Sequence, residues 1–245
     1  MNYNKNLIKL LDSVSGIQPQ IIINKDKELL IKANDTDVSI CYVLKAPNDY
    51  FDFPGNLLAF YDYSRFVKCF NVYDVPNKDP KLADTPVLDS VTNANGLVTD
   101  LLIKSSKTKS KISHRTARAD VLSKPVFNNI NVPSIDCAFD MTEAEFSNLY
   151  KLMDNVIDAD LIKFSFADEA CTITLKNTKT SNYYDIEYKL ATPVVVPGEL
   201  EITTKGLRQL PISAYHFSLC QKGIIECQMV RDDDIDLKLY ISKKS

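Results

Sequence analysis

Four times in this 245-residue chain, side chains recur at i, i+3, i+4 and i+7, the spacing that gathers them on one face of a helix. The first set is Leu7, Leu10, Leu11 and Val14, the second Tyr63, Phe66, Val67 and Phe70, and the third Phe146, Leu149, Tyr150 and Met153. The fourth, Thr203, Gly206, Leu207 and Leu210, is the weakest, with a hydroxyl at its start and a glycine inside it. Positions two and five residues after each start fall roughly opposite the apolar face. They hold Lys9, Asp12, Arg65, Lys68, Asn148, Lys151, Lys205 and Arg208. Six of those eight are cationic in a chain whose 32 acidic residues outnumber its 29 basic ones, so position and not composition concentrates the positive charge. Each predicted helix buries one face and offers a basic one, and clustered cations attract phosphate backbones whatever the net charge of the molecule. Asp12 breaks the pattern.

With 45% hydrophobic residues, a chain of this length can bury about 70% of its unfolded surface, in one large domain or two ordinary ones. No run approaches the ~20 apolar residues of a bilayer span. Polar residues between Met1 and Lys9 stand where a secretion signal has its apolar run, so a soluble, cytoplasmic protein with no membrane partner is expected. Cys41, Cys69, Cys137, Cys171, Cys220 and Cys227 are scattered, form no CxxC pair and mostly lie in apolar runs, as suits reduced, buried thiols. His114 and His216 have no ligand spacing, and no metal or other cofactor is implied.

The first and third helices are followed by the same material. After Gly16 come strands at Ile21–Ile23 and Leu29–Ile31, separated by the turn Asn24, Lys25 and Asp26, then an alternating strand through Val38, Ile40, Tyr42 and Leu44. About 140 residues later come Leu161–Phe166, the turn Ala167, Asp168 and Glu169, then Cys171–Leu175 and an alternating strand through Tyr184, Ile186, Tyr188 and Leu190. The chain reads as a duplicated unit: domains over 1–118 and 137–245, with a proline-bearing connector over 119–136. The later domain closes with strands at Ala214–Cys220, Ile224–Val230 and Ile235–Ile241. In the earlier one the polar, proline-rich stretch Asp74–Pro86 reads as an exposed loop. Antiparallel sheet with few short helices is an α+β class.

The order of elements from Phe139 to Ile241 resembles the sliding clamps of DNA replication, specifically the homotrimeric clamps of tailed bacteriophages, relatives of proliferating cell nuclear antigen (PCNA). The residues that carry the resemblance are Thr142–Met153 as helix, the strand ending at Leu190, Glu199–Leu210 as strand and helix, the run Gln209–Tyr215 around Pro211, and a last hairpin closing at Tyr240. A second match is Phe51–Asn71, where an aspartate-rich approach leads into a short aromatic helix; the segment Asp74–Asn95 departs from the pattern.

The resemblance implies a clamp fold of two similar domains, each of two helix-plus-antiparallel-sheet modules, closing head to tail into a ring with helices on its inner face. Three copies would line the hole with twelve helices. Such a ring encircles duplex DNA without sequence specificity, is placed there by a clamp-loader ATPase, and tethers the replicative DNA polymerase. Lys9, Arg65, Lys68, Lys151, Lys205 and Arg208 would then face phosphates, and no residue would be catalytic. The alternating Lys107, Lys109 and Lys111 would lie on the strand that crosses the subunit boundary, meeting Tyr183, Asp185 and Glu187 of the next copy. Partner peptides would enter an apolar groove among Val121, Leu122 and Phe127 of the connector and Leu239, Tyr240 and Ile241 of the last strand.

Two other classes stay open on sequence alone. Asp232, Asp233, Asp234 and Asp236 offer carboxylates of the kind that hold metal ions in nucleic-acid enzymes, although three consecutive aspartates between apolar strands also make a hairpin turn. A β-rich virion subunit would share the strand content, but it has no use for cationic helix faces.

Overall fold

A computed structural model describes residues 1–76, 83–127 and 130–243. The chain divides into two compact units, residues 1–33 with 44–125 and residues 34–43 with 126–245.

In the first unit, α1 (Lys5–Ser15) begins where the Asn4 side chain accepts hydrogen bonds from the N–H groups of Asn6 and Leu7, at 2.8 and 3.2 Å. It buries Leu7, Ile8, Leu10, Leu11 and Val14. Strands β1 (Ile21–Lys25), β2 (Leu29–Asn34) and β4 (Leu57–Phe60) form an antiparallel group with β1 in the middle. Between them in sequence lies β3 (Ile40–Ala46). The second helix, α2 (Tyr63–Asn71), is capped by Asp62 and buries Tyr63, Phe66, Val67 and Phe70. Phe60 meets Tyr63 and Phe66 with ring centroids 4.9 and 5.0 Å apart. Strands β5 (Pro86–Thr92), β6 (Val98–Ser105) and β7 (Lys111–Arg115) complete the unit as an antiparallel meander.

In the second unit, β8 (Cys137–Met141) leads into α3 (Glu143–Lys151) through a full capping box between Thr142 and Glu145. The helix widens into a π-type turn at Leu152–Val156. Long strands β9 (Leu161–Lys176) and β10 (Tyr183–Thr203) form one antiparallel ribbon. A single 3₁₀ turn at Leu207–Gln209 follows, then β11 (Ala214–Cys220), β12 (Ile224–Val230) and β13 (Asp236–Ser242). The sheet order is β13-β12-β11-β8. Phe139 stacks on Phe217 at 5.1 Å and Phe146 meets Tyr215 at 4.7 Å, so the apolar face of α3 closes over this sheet. The turn between β2 and β3 belongs to this unit: buried Asp35 accepts from Ile40 N at 3.0 Å and Ser39 Oγ at 2.8 Å, and Ser242 N donates to Ser39 O at 2.8 Å.

Several elements differ from the sequence reading. Thr203–Leu210 is no α-helix: Thr203 ends β10, and only Leu207–Gln209 coil. Pro211 stands too close for a second turn, and a helix this short cannot nucleate. Gly206 also serves packing, since a Cβ there would come within 2.8 Å of Ile241 Cδ1. Ala167, Asp168 and Glu169 make no hairpin; β9 runs through them with Asp168 at φ 51, a bulge that bends a continuous strand. Val38, at φ 56, lies in the turn before β3 rather than in the strand. The loop expected over Asp74–Pro86 has residues 77–82 outside the described part; beside them Val75 bridges Asp84, and β5 starts at Pro86. All six cysteines are free, and five are buried.

His114 on β7 packs on Phe60 and Phe66, with ring centroids 6.0 and 5.6 Å away. Burial pushes its pKa down and Arg65 adds to that, against the opposing pull of Asp62 and Asp100. The folded state therefore binds a proton less readily than the unfolded chain, and stability is lost as pH falls through the ordinary histidine range. Between pH 7.5 and about 5.5, the urea midpoint of the natural chain is expected to drop further than that of His114→Leu; equal drops would mean His114 titrates freely.

Candidate nucleic-acid interface

The cationic positions follow from how the helices are seated. Helices α1 and α2 pack side by side, each with its apolar stripe against the core, and Lys9, Arg65 and Lys68 are left exposed on their outward faces. Asp12, the acidic exception, is explained by the seam between the helices. Its carboxylate accepts from Ser64 Oγ at 3.1 Å, and Ser64 Oγ lies 3.0 Å from Ser15 Oγ. The one acid in the series ties α1 to α2, and periodicity alone carries no sign of such a cross-helix bond.

In the second unit, Asn148 and Lys151 are exposed on α3, with Lys151 at its last residue. Lys205 has a side chain 59% exposed, and its Nζ lies 3.2 Å from Asp35 Oδ2. Burial raises the pKa of Asp35, but the Ile40 N–H, the Ser39 hydroxyl and the Lys205 ammonium together hold it below the usual carboxylate value, so its carboxylate is ionised at neutral pH. Arg208 differs from the other five. Its Nη2 donates to Ala159 O at 2.8 Å and Met153 O at 3.3 Å, and Nε lies 3.1 Å from Asp154 Oδ1 at an angle too poor for a hydrogen bond. Tyr150 OH donates to Arg208 O at 3.4 Å. The Arg208 guanidinium ties Met153 O, in the π-type turn, to Ala159 O just beyond it, alongside the bonds those carbonyls accept from Ala159 N and Thr204 Oγ1, and only 32% of the side chain is exposed.

Lys107 and Lys109 lie in the loop between β6 and β7, not on a strand; only Lys111 starts β7. Asp84 organises that loop by accepting from Ser105 Oγ at 2.6 Å and Ser106 N at 2.9 Å. Strand β7 pairs with β6 alone, and β10 from Tyr183 to Lys189 pairs with β9 alone, so each has a free edge among the described residues; Tyr183, Asp185 and Glu187 are exposed. Of the groove set, Val121 is 68% exposed and Phe127 partly so, but Leu122 is buried. Leu239 and Ile241, at 0% and 1% exposure, belong to the core because alternate residues of β13 face inward, and they cannot line an outer groove. Tyr240, between them, is half-buried, and burial together with Glu226 pushes its hydroxyl pKa up.

Asp232, Asp233 and Asp234 lie in the turn between β12 and β13, and Asp236 starts β13. Asp233 forms a two-point ion pair with Arg231, and Asp236 accepts from Gln228 at 3.2 Å. Among the described residues no three His, Cys, Asp or Glu side chains are placed to hold a metal ion, and no helix is long and apolar enough to cross a membrane.

No family model and no curated protein matches the sequence. The solved structures do match. PCNA from Entamoeba histolytica superposes with a TM-score of 0.73 at 14% identity, covering 98% of this chain and 95% of that one. The fold is that of PCNA. The PCNA2–PCNA3 complex of Sulfolobus tokodaii gives a TM-score of 0.71 at 11% identity, over 96% and 94% of the two chains. A. fulgidus PCNA bound to the C-terminal region of FEN-1 gives 0.71 at 11% identity, over 99% and 97%. A PCNA-like α+β fold thus spans nearly the whole chain.

The two kinds of cation separate in a stability measurement. Arg208→Ala removes donors from inward-facing carbonyls and is expected to cost about 1–3 kcal/mol in urea unfolding. Lys151→Ala, a surface change, should stay within about 0.5 kcal/mol. Equal costs would make Arg208 an ordinary surface charge.

Proposed function

We propose that this chain is a sliding clamp of the phage type, a homotrimeric processivity factor that encircles duplex DNA and tethers a replicative polymerase. One coincidence supports the reading above all: in a chain with the PCNA fold along its length, the outward helix faces carry Lys9, Arg65, Lys68 and Lys151. Each cation adds a non-specific phosphate interaction, weak enough singly to let the ring move and salt-sensitive in sum. Lys205, held by Asp35, keeps its exposed ammonium for the same surface, while Arg208 serves it indirectly by fixing the end of α3.

The domain limits proposed for the clamp are 1–118 and 137–245, joined by 119–136. Ring closure uses the free edges of β7 and β10 from neighbouring copies, with Lys111 and Arg115 opposite Asp185 and Glu187; a head-to-tail contact of this kind closes only at the right rotation. The clamp needs no cofactor and performs no catalysis of its own. A clamp-loader ATPase opens it, and partner peptides dock along the connector, where Val121 and Val126 are 68% and 71% exposed. It works in the cytoplasm, the bacterial host's if the chain is phage-encoded.

The test is charge reversal read at constant oligomeric state. Light scattering should give a trimer for both the natural chain and Arg65→Glu/Lys68→Glu. The double variant should bind duplex DNA more weakly, with the slope of log K against log salt shallower by about one for each phosphate that is no longer neutralised. An unchanged slope, or a natural chain that stays monomeric at every concentration, would contradict the proposal.

A further inference from the structure

The chain builds one seam twice and closes it once. In the first unit the segment before α1 lies between β5 and the connection from β3 to β4. On one side the Met1 ammonium donates to Leu88 O at 2.9 Å. On the other, Asn4 N donates to Tyr50 O at 2.7 Å, Asp52 N donates to Asn2 O at 3.0 Å, and Tyr3 bridges Phe51 in antiparallel sense. Phe51, in the middle of this zipper, is wholly buried against Phe53 and Phe66.

In the second unit β8 holds the equivalent place before α3 and pairs with β11 on one side. Its other edge has no ladder partner among the described residues. The equivalent of the closing segment is the middle of β10, where Pro193 and Pro197 have no N–H to donate. Between Lys189 and Gly198, among the described residues, that stretch pairs with β9 only at Val194. A groove of about 630 Å³ is left, with Ala138 and Phe139 on its β8 side, Val194 and Val196 on its β10 side, and Ile135 and Asp140 toward opposite ends of β8. Ile135 is 63% and Val196 59% exposed.

The far wall is held in place rather than slack. The Gln221 side chain donates to Val196 O at 3.1 Å and Pro197 O at 3.2 Å, while Gln221 N donates to Asp136 Oδ2 at 2.8 Å. Gly198 makes room for this clasp, since a Cβ there would stand 2.3 Å from Gln221 Nε2. An open strand edge facing a groove that pairs apolar side chains with Asp136, Lys189 and His216 is the geometry that recruits an added strand.

We propose that this groove is a docking site for an extended segment of a partner protein, which joins the free edge of β8 as an antiparallel strand and sets an aromatic side chain where Phe51 lies in the first unit. The occupant's chemistry is written in the closed copy of the seam. Asp140, with a side chain 81% exposed and 2.7 Å from His216 Nδ1, and Asp136 line the groove against Lys189, and this acidic excess adds a preference for Lys or Arg in the segment.

The probe is a fluorescein-labelled peptide with the sequence of residues 48–53, carrying Asp49→Lys and Asp52→Lys. Saturable binding in fluorescence anisotropy is expected, with slowed amide exchange in residues 137–141. Ile135→Asp and Val196→Asp, both exposed changes checked by unshifted thermal melts, should each weaken binding at least tenfold. Val87→Asp, on β5, should leave it unchanged, and methylating alternate backbone nitrogens of the peptide should abolish it. No binding, undiminished binding to Val196→Asp, or unaltered exchange in β8 would overturn the proposal. None of these readouts involves DNA or ring closure, so they stand apart from the clamp reading.

Discussion

Every α-helix among the described residues is too short to exist alone. At 11, 9 and 9 residues, α1, α2 and α3 are below the length at which a helix holds in water, and each persists because one face is buried on a sheet. That burial sets orientation as well as stability. Once Phe66, Phe70 and Leu11 are inside, Arg65, Lys68 and Lys9 must be outside, so hydrophobic packing aims the charge. A helix rotated by a third of a turn would bury cations without partners, at a cost far beyond what an amphipathic strip of this length returns.

What was legible in the sequence is what periodicity encodes. Three helices and the last three strands lie within a residue or two of the positions read from spacing, because the helices, β12 and β13 bury alternate or every third-to-fourth side chain, while β11 buries Phe217, Ser218, Leu219 and Cys220 in a row. The elements that depart from their spacing turn on neighbours that periodicity does not encode, some adjacent in sequence and some remote. The apparent fourth helix has helical spacing but no room before Pro211 and no side chain at Gly206, which exists to admit Ile241. Arg208 looks like any solvated arginine until Met153 O, in the π-type turn, and Ala159 O, just past it, are seen within reach of its guanidinium. Asp168 marks a bend within a strand, where an acidic, polar triplet reads as a hairpin. Lys107, Lys109 and Lys111 alternate as a strand does, yet the bonds of Asp84 and Ser105 hold the first two in a loop.

Duplication makes the departures informative. Both units run strand, helix, strands, helical segment and meander, so a place where they differ is a place where the same geometry was put to another use. The second helical position keeps nine residues of helix in one unit and a single turn in the other, which shrinks the basic surface there. The seam beside the leading strand is zipped in one unit and, with two prolines in its closing segment, open in the other. Likeness to PCNA at 11–14% identity describes the scaffold; differences of this sort are where the chain's own chemistry lies.

Retention by encirclement is topological, and threading tests it without a loader. Purified chain is incubated with linear duplex biotinylated at both ends, streptavidin is added to block the ends, and the DNA is washed at high salt. A ring held by closure survives the wash when the ends were blocked after incubation, and leaves once a nuclease cuts the duplex between the blocks. Loss during the wash despite both blocks, or retention that does not change on cutting, would mean that charge and not encirclement holds this protein on DNA.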